Sequence, residues 1–179
     1  MRTIWCIVGA LLATSLASTA FAAPALDINA ASAAPGTIAS IAVTLTRNGA
    51  AIASTSNDIG FDSTVLTINP ATDCTLAGSS PPWNLAAGKV CHSGNTHACS
   101  VDGDCTGTHK PPCDVVRVGT YSNPTTTYDT DGVLVTCGFA VDPSAASNTY
   151  PLSNKASAYD VHGNLIRGTT GAAGSITIP

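Results

Sequence analysis

Apolar and polar residues alternate with a period of two along most of this chain. Residues 37–47 do so cleanly, with Ile41, Val43 and Leu45 on one face and Ala42, Thr44 and Thr46 on the other. That is the pattern of a half-buried strand. Asn48-Gly49 follows it as a hairpin signal. The next run ends in Ile59 and Phe61, with Asp58, Gly60 and Asp62 opposite, and residues 65–68 form another before Asn69-Pro70. Residues 132–141 give the clearest strand. Val133, Val135, Cys137, Phe139 and Val141 share one face, so Cys137 is expected in the core. Shorter runs at 26–31 (before the Pro35-Gly36 turn), 115–118, 149–152 and 156–161, the His162-Gly163-Asn164 turn, and a last strand with Ile176 and Ile178 complete the series. About eight or nine short strands with frequent turns predict an all-β chain, a jelly-roll β-sandwich.

Residues 71–113 break the pattern. They hold Pro81-Pro82, Pro111-Pro112, much Gly, Ser and Thr, and most of the cysteines. With almost no apolar residues to build a core, they read as a Cys-rich, disulfide-bonded insertion and not as a second domain.

Composition strengthens the all-β reading. The chain has no Glu and no Gln, so two of the best helix formers are missing. Lys and Arg number 7 against 11 acidic residues, all of them Asp, for a net charge of −4. A nucleic-acid binder needs a basic face to meet phosphates, and this balance argues against one.

The N-terminus reads as an export signal, residues 1–22. Arg2 supplies the positive end, residues 4–16 the apolar run, and Ala20-Phe21-Ala22 the small-x-small cleavage pattern. The run falls short of the roughly 20 residues a spanning helix needs. Cleavage leaves residues 23–179 as one exported domain, extracellular or periplasmic, with nothing to hold it in a membrane. Of 7 cysteines, Cys6 leaves with the signal; Cys74, Cys91, Cys99, Cys105, Cys113 and Cys137 remain. In an oxidising compartment they imply three disulfides, and six cysteines allow 15 pairings among which the sequence does not choose. Cys74, at the other edge of the insertion, is the expected partner of Cys137.

Four stretches, taken in order, resemble the cohesin family: Ala34-Pro35-Gly36 leading into the 37–45 strand; Asp58-Ile59-Gly60-Phe61-Asp62-Ser63-Thr64-Val65-Leu66; Ala158-Tyr159-Asp160-Val161-His162-Gly163-Asn164; and Gly174-Ser175-Ile176-Thr177-Ile178. The resemblance implies a nine-stranded jelly roll related to carbohydrate-binding modules. It implies binding of calcium-loaded dockerin modules in polysaccharide-degrading assemblies, and no catalytic residues. The Cys-rich insertion is foreign to that pattern, and fold alone does not dictate the partner.

Candidate chemistry is sparse. Cys91, Cys99, Cys105 and Cys113 with His92, His97 and His109 suggest zinc, but structural zinc sites prefer cysteines two to four apart, so disulfides are expected. Asp102 with Asp104, and Asp129 with Asp131, have the alternate carboxylates calcium favours; an EF-hand would also need a Glu. Solvated turn acids are the simpler reading, and no cofactor is expected. Trp83, Tyr121 and Tyr128 lie in or near loops, where exposed rings stack on sugars in many sandwiches. No G-x-S-x-G elbow occurs, and no pair of Asp stands out for glycoside hydrolysis. The sequence therefore predicts a secreted, non-catalytic binding module, and the cohesin resemblance implies that its flat sheet face recognises a dockerin-like protein partner. A carbohydrate-binding module holding a polysaccharide, or a structural surface or filament subunit, are the alternatives.

Overall fold

The computed structural model describes residues 22–77, 83–92, 97–108, 111–122 and 126–179. The export-signal reading, with Cys6, therefore lies outside the described residues up to Phe21, as do Pro81-Pro82 and His109. Eleven strands form two sheets: β1 (Ala25–Ile28), β2 (Ala30–Ser32), β3 (Ile38–Thr46), β4 (Ser54–Gly60), β5 (Leu66–Thr67), β6 (Cys74–Leu76), β7 (Asn84–Val90), β8 (Val115–Tyr121), β9 (Gly132–Val141), β10 (Asn148–Tyr159) and β11 (Gly174–Ile178). The first sheet runs β1-β3-β9, with β5 and β6 sharing the far edge of β9. The second runs β2-β11-β10-β4-β8-β7. The inner faces meet in one core around Phe139, Ile41, Ile59, Leu152 and Ile176, each with no exposed surface. Phe61 packs edge-on against Phe139, ring centres 5.3 Å apart. Among the described residues no helix is long and apolar enough to cross a membrane.

The sandwich is the one the alternation predicts, with local departures that have physical causes. The 26–31 run is two strands, because Asn29 moves the chain from one sheet to the other. Its Oδ1 accepts the Ala42 amide and its Nδ2 donates to the Ala30 carbonyl, serving the backbone at the break. Asn48-Gly49 makes the tight turn it signals, with φ of 52° and 84°. It does not join paired strands, since β3 lies in the first sheet and β4 in the second. The runs at 149–152 and 156–161 fuse into one 12-residue strand, β10. Polar Asn154 continues the ladder there because its inward amide finds partners. Val133, expected inside, is 43% exposed. A bulge opposite Val43/Thr44 adds a residue to β9, so Leu134 turns inward in its place.

The Cys-rich segment is also less foreign than its sequence suggests. It supplies β6 to one sheet and β7 to the other, where Leu85 and Ala87 pack against the core. Only the described residues between Cys91 and Cys113 stand apart. Cys91–Cys105 and Cys99–Cys113 pin them, while Cys74–Cys137 joins neighbouring strands β6 and β9. The Cys99 amide bonds the Lys89 carbonyl at 3.0 Å and Lys89 Nζ bonds the Ser100 carbonyl at 2.9 Å, docking this appendage on the end of β7.

Candidate recognition face

In β4 the buried residues are Thr55, Asn57 and Ile59, and in β8 they include Val116, Val118 and Thr120. The residues between them point away from the core, and register carries that face across four strands. Tyr159, Ser54, Tyr121 and Asn84 form one row from β10 to β7; Ser157, Ser56, Gly119 and Ala86 form the next. Lys155, Asp58, Arg117 and Gly88 form a third. The face is flat because its side chains are so small, and tyrosines and charges rise from it.

The charges are ordered. Arg117 Nε and Nη2 donate to the two Asp58 oxygens at 2.6 and 2.7 Å. This paired geometry fits a guanidinium fork to a carboxylate. Donating to the Asp58 carboxylate raises the Arg117 pKa above its ordinary value, so this cation is fixed. Lys155, on the other side of Asp58, is exposed and makes no hydrogen bond or ion pair with any described residue.

The aromatic candidates divide. Tyr121 stands 47% exposed on the face. Trp83 and Tyr128 instead stack on one another, ring centres 3.5 Å apart and planes 4° from parallel. Tyr128 is buried, its hydroxyl donating to Thr120 Oγ1, which in turn meets Thr55 Oγ1 at 2.6 Å. Burial raises its pKa to about 12. The three rings thus form no continuous strip. Trp83 and Tyr128 do line, with residues 129–134 and Leu76, a cavity of about 200 Å³.

The cohesin domain family model matches residues 24–178. The chain belongs to the cohesin family. Solved structures agree on the fold. The CaDoc0917–CaCohA2 complex, whose cohesin comes from Clostridium acetobutylicum, is similar with a TM-score of 0.61 and 18% identity, over 87% of this chain and 99% of that one. The non-cellulosomal cohesin of the archaeon Archaeoglobus fulgidus has a TM-score of 0.60 and 15% identity, over 88% and 92%. The sixth cohesin of scaffoldin B from Acetivibrio cellulolyticus, solved with the Cel5 dockerin, has 0.56 and 16%, over 87% and 99%. No curated protein matches the chain.

In this cohesin domain the acidic turns have partners of their own. Asp104 Oδ2 accepts the Ser100 and Val101 amides at 2.6 and 3.1 Å, and these bonds lower its pKa. Asp102 Oδ1 accepts the Cys113 amide at 2.7 Å. Asp131 is held by the Arg47 amide and guanidinium at 2.9 and 3.1 Å; the amide bond is the main reason its pKa is lowered. Asp129 alone of the four has no partner among the described residues. The sulfurs of Cys91, Cys99 and Cys105 lie within 4.8 Å of one another, a metal-like grouping that the two appendage disulfides account for. His92 Nδ1 sits 2.8 Å from buried Asp114, and His97 Nε2 sits 3.1 Å from the Asp104 carbonyl. The residues that sequence reasoning missed are Asp58, Arg117, Lys155 and Tyr159. Their signal was present only as polar positions of strands, and nothing in the sequence said which strands lie side by side.

Proposed function

We propose that this cohesin domain is an exported, non-catalytic recognition module that docks a dockerin-like protein on the outward face of β10-β4-β8-β7. Extracellular or periplasmic export fits the three disulfides, which persist in oxidising compartments. The observation that carries the reading is the flat field of Ser, Gly and Ala around the Asp58–Arg117 pair and Lys155, flanked by Tyr121 and Tyr159. Tyrosine and arginine are the residue types that dominate binding energy at interfaces, and small residues around them let a partner approach closely enough to exclude water. A carboxylate on the partner is the natural complement of Lys155. The outer positions of β3 and β9 carry no Tyr or Arg: they include Ile38, Ser40, Ala42, Thr44, Val133, Thr136 and Gly138. Several similar cohesins were solved with dockerins bound, which supports a partner of that kind.

The test is an affinity capture. The oxidised domain, immobilised, is exposed with calcium and then with chelator to the secreted proteins of its source, and eluates are identified by mass spectrometry. The expected result is a calcium-dependent partner carrying a duplicated Asp-rich loop–helix module, lost when Arg117 and Tyr121 are both replaced by Ala. Recovery of the bait alone overturns the reading.

A further inference from the structure

Next to the start of β7, the cavity beside the Trp83–Tyr128 stack combines two kinds of wall. Leu76 and Val133 are large apolar side chains left 36% and 43% exposed, and both line it. Asp129 and Thr130 line it as well, and neither has a hydrogen-bond or ionic partner among the described residues. The aromatic pair is held in place before any ligand arrives. The Tyr128 amide bonds the Ile52 carbonyl at 2.8 Å, Arg47 Nη1 bonds the Tyr128 carbonyl at 2.7 Å, and the phenol bonds Thr120. A wall already ordered loses little entropy on binding.

Three occupants compete on chemistry. A purely apolar side chain leaves Asp129 and Thr130 dehydrated and unpaired, which opposes its entry. A cation finds one free carboxylate only, because Asp131 is neutralised by Arg47 at 3.1 Å and that guanidinium repels it. A neutral sugar has apolar C–H surface for Leu76, Val133 and Trp83 and hydroxyls to donate to Asp129. The volume, about 200 Å³, is below the 300–1,000 Å³ typical of pockets that enclose drug-sized ligands, and so suits one ring with the remaining chain outside. We propose that this cavity is a glycan subsite that takes one neutral sugar ring, separate from the protein-recognition face and independent of it.

Residues 23–179 carry every described strand of both sheets, and Trp83 is their only tryptophan. This fragment is titrated with soluble β-linked gluco-, xylo- and chito-oligosaccharides up to about 10 mM, enough to reveal a millimolar complex. Trp83 emission and the backbone amide spectrum are followed. The expected result is saturable binding of at least one sugar, with shifts centred on residues 129–134. Asp129→Ala, an exposed change that leaves the fold intact, weakens it at least about tenfold, as loss of a charged hydrogen bond implies. His162→Ala, in the turn after β10, leaves it unchanged. The proposal is overturned if no sugar moves these signals, if Asp129→Ala binds as well as the parent, or if lysine amide moves them where no sugar does.

Discussion

Asp58 on β4 and Arg117 on β8 stand opposite one another in register, joined by two hydrogen bonds on the outward side of the sheet. The Asp58 side chain is only 12% exposed, so Arg117 is its main source of compensation. Arg117→Ala leaves that carboxylate short of donors and is expected to lower stability by about 1–3 kcal/mol, read from urea unfolding. On a captured partner the same change is expected to weaken binding by about 2 kcal/mol or more, the range of a central anchor. Arg117→Lys keeps the charge but loses the fork, and should restore stability better than binding. Unchanged partner affinity in Arg117→Ala would remove the face from the recognition reading.

Asn154 ties the two sheets together from the inside. Its Nδ2 donates to the Leu26 carbonyl at 2.6 Å and the Ala172 carbonyl at 3.1 Å, and its Oδ1 accepts from Asn57 Nδ2 at 2.9 Å. Asn57 is 1% exposed and Leu26 is fully buried. Asn154→Ala removes all three bonds, while the Ala172 carbonyl keeps the Ile28 amide at 3.1 Å and Asn57 Nδ2 keeps a long contact to the Leu26 carbonyl at 3.5 Å, so the expected loss is about 1–2 kcal/mol. Asn154→Asp should cost at least as much, since the carboxylate offers no donor to either carbonyl. Denaturant midpoints at constant slope would measure both.

The strands that could be read in advance were those whose inward residues are large. Ile41, Val43 and Leu45 announce β3 because three bulky side chains at a spacing of two have one explanation. β7 was hidden because its inward positions are Leu85, Ala87 and Lys89, too mixed to show a period inside a Pro- and Cys-rich stretch. Val133 misled for a different reason: a bulge is set by the partner strand, which local alternation does not register. The same limit applied at the surface. Trp83, Tyr128, Asp129 and Asp131 were each visible as candidates, but their meeting around one cavity depends on strand order. Asp58 and Arg117 lie 59 residues apart, and only the β4–β8 pairing makes them neighbours.

The disulfides divide into one that holds the sandwich and two that hold the appendage. Cys74 and Cys137 close a separation of 63 residues, with Cα atoms 4.1 Å apart on adjacent strands. Chain-entropy reasoning gives about 4 kcal/mol for a loop of that length. Replacing both by Ala should lower global stability by about that amount and shift the whole urea transition. Replacing Cys91 with Cys105, or Cys99 with Cys113, each 14 residues apart, should act locally. Hydrogen exchange is then expected to rise in residues 97–108 while amides in β3 and β9 keep their protection. A global loss equal to that of the Cys74–Cys137 variant would show that the appendage and sandwich unfold as one unit.

Tyr128 should make the domain sensitive to alkali. Burial raises its pKa from 10.0 to about 12, partly offset by the bond to Thr120. Between these values the unfolded chain gives up a proton that the folded chain retains, so rising pH favours unfolding. The contribution is complete below pH 10 and is lost progressively towards pH 12, amounting to about 2 kcal/mol. Tyr128→Phe removes the ionising group. At neutral pH it should cost about 1 kcal/mol for the lost hydrogen bond. Between pH 10 and 12 its stability should fall less steeply than that of the parent, so the two curves converge and then cross. Urea unfolding at a series of alkaline pH values measures the difference, and tyrosinate absorbance of the folded protein reports whether one phenol titrates late. Parallel curves for the two proteins across that interval would mean that Tyr128 ionises as freely in the sandwich as in the unfolded chain, and that the stack with Trp83 does not exclude water from its hydroxyl.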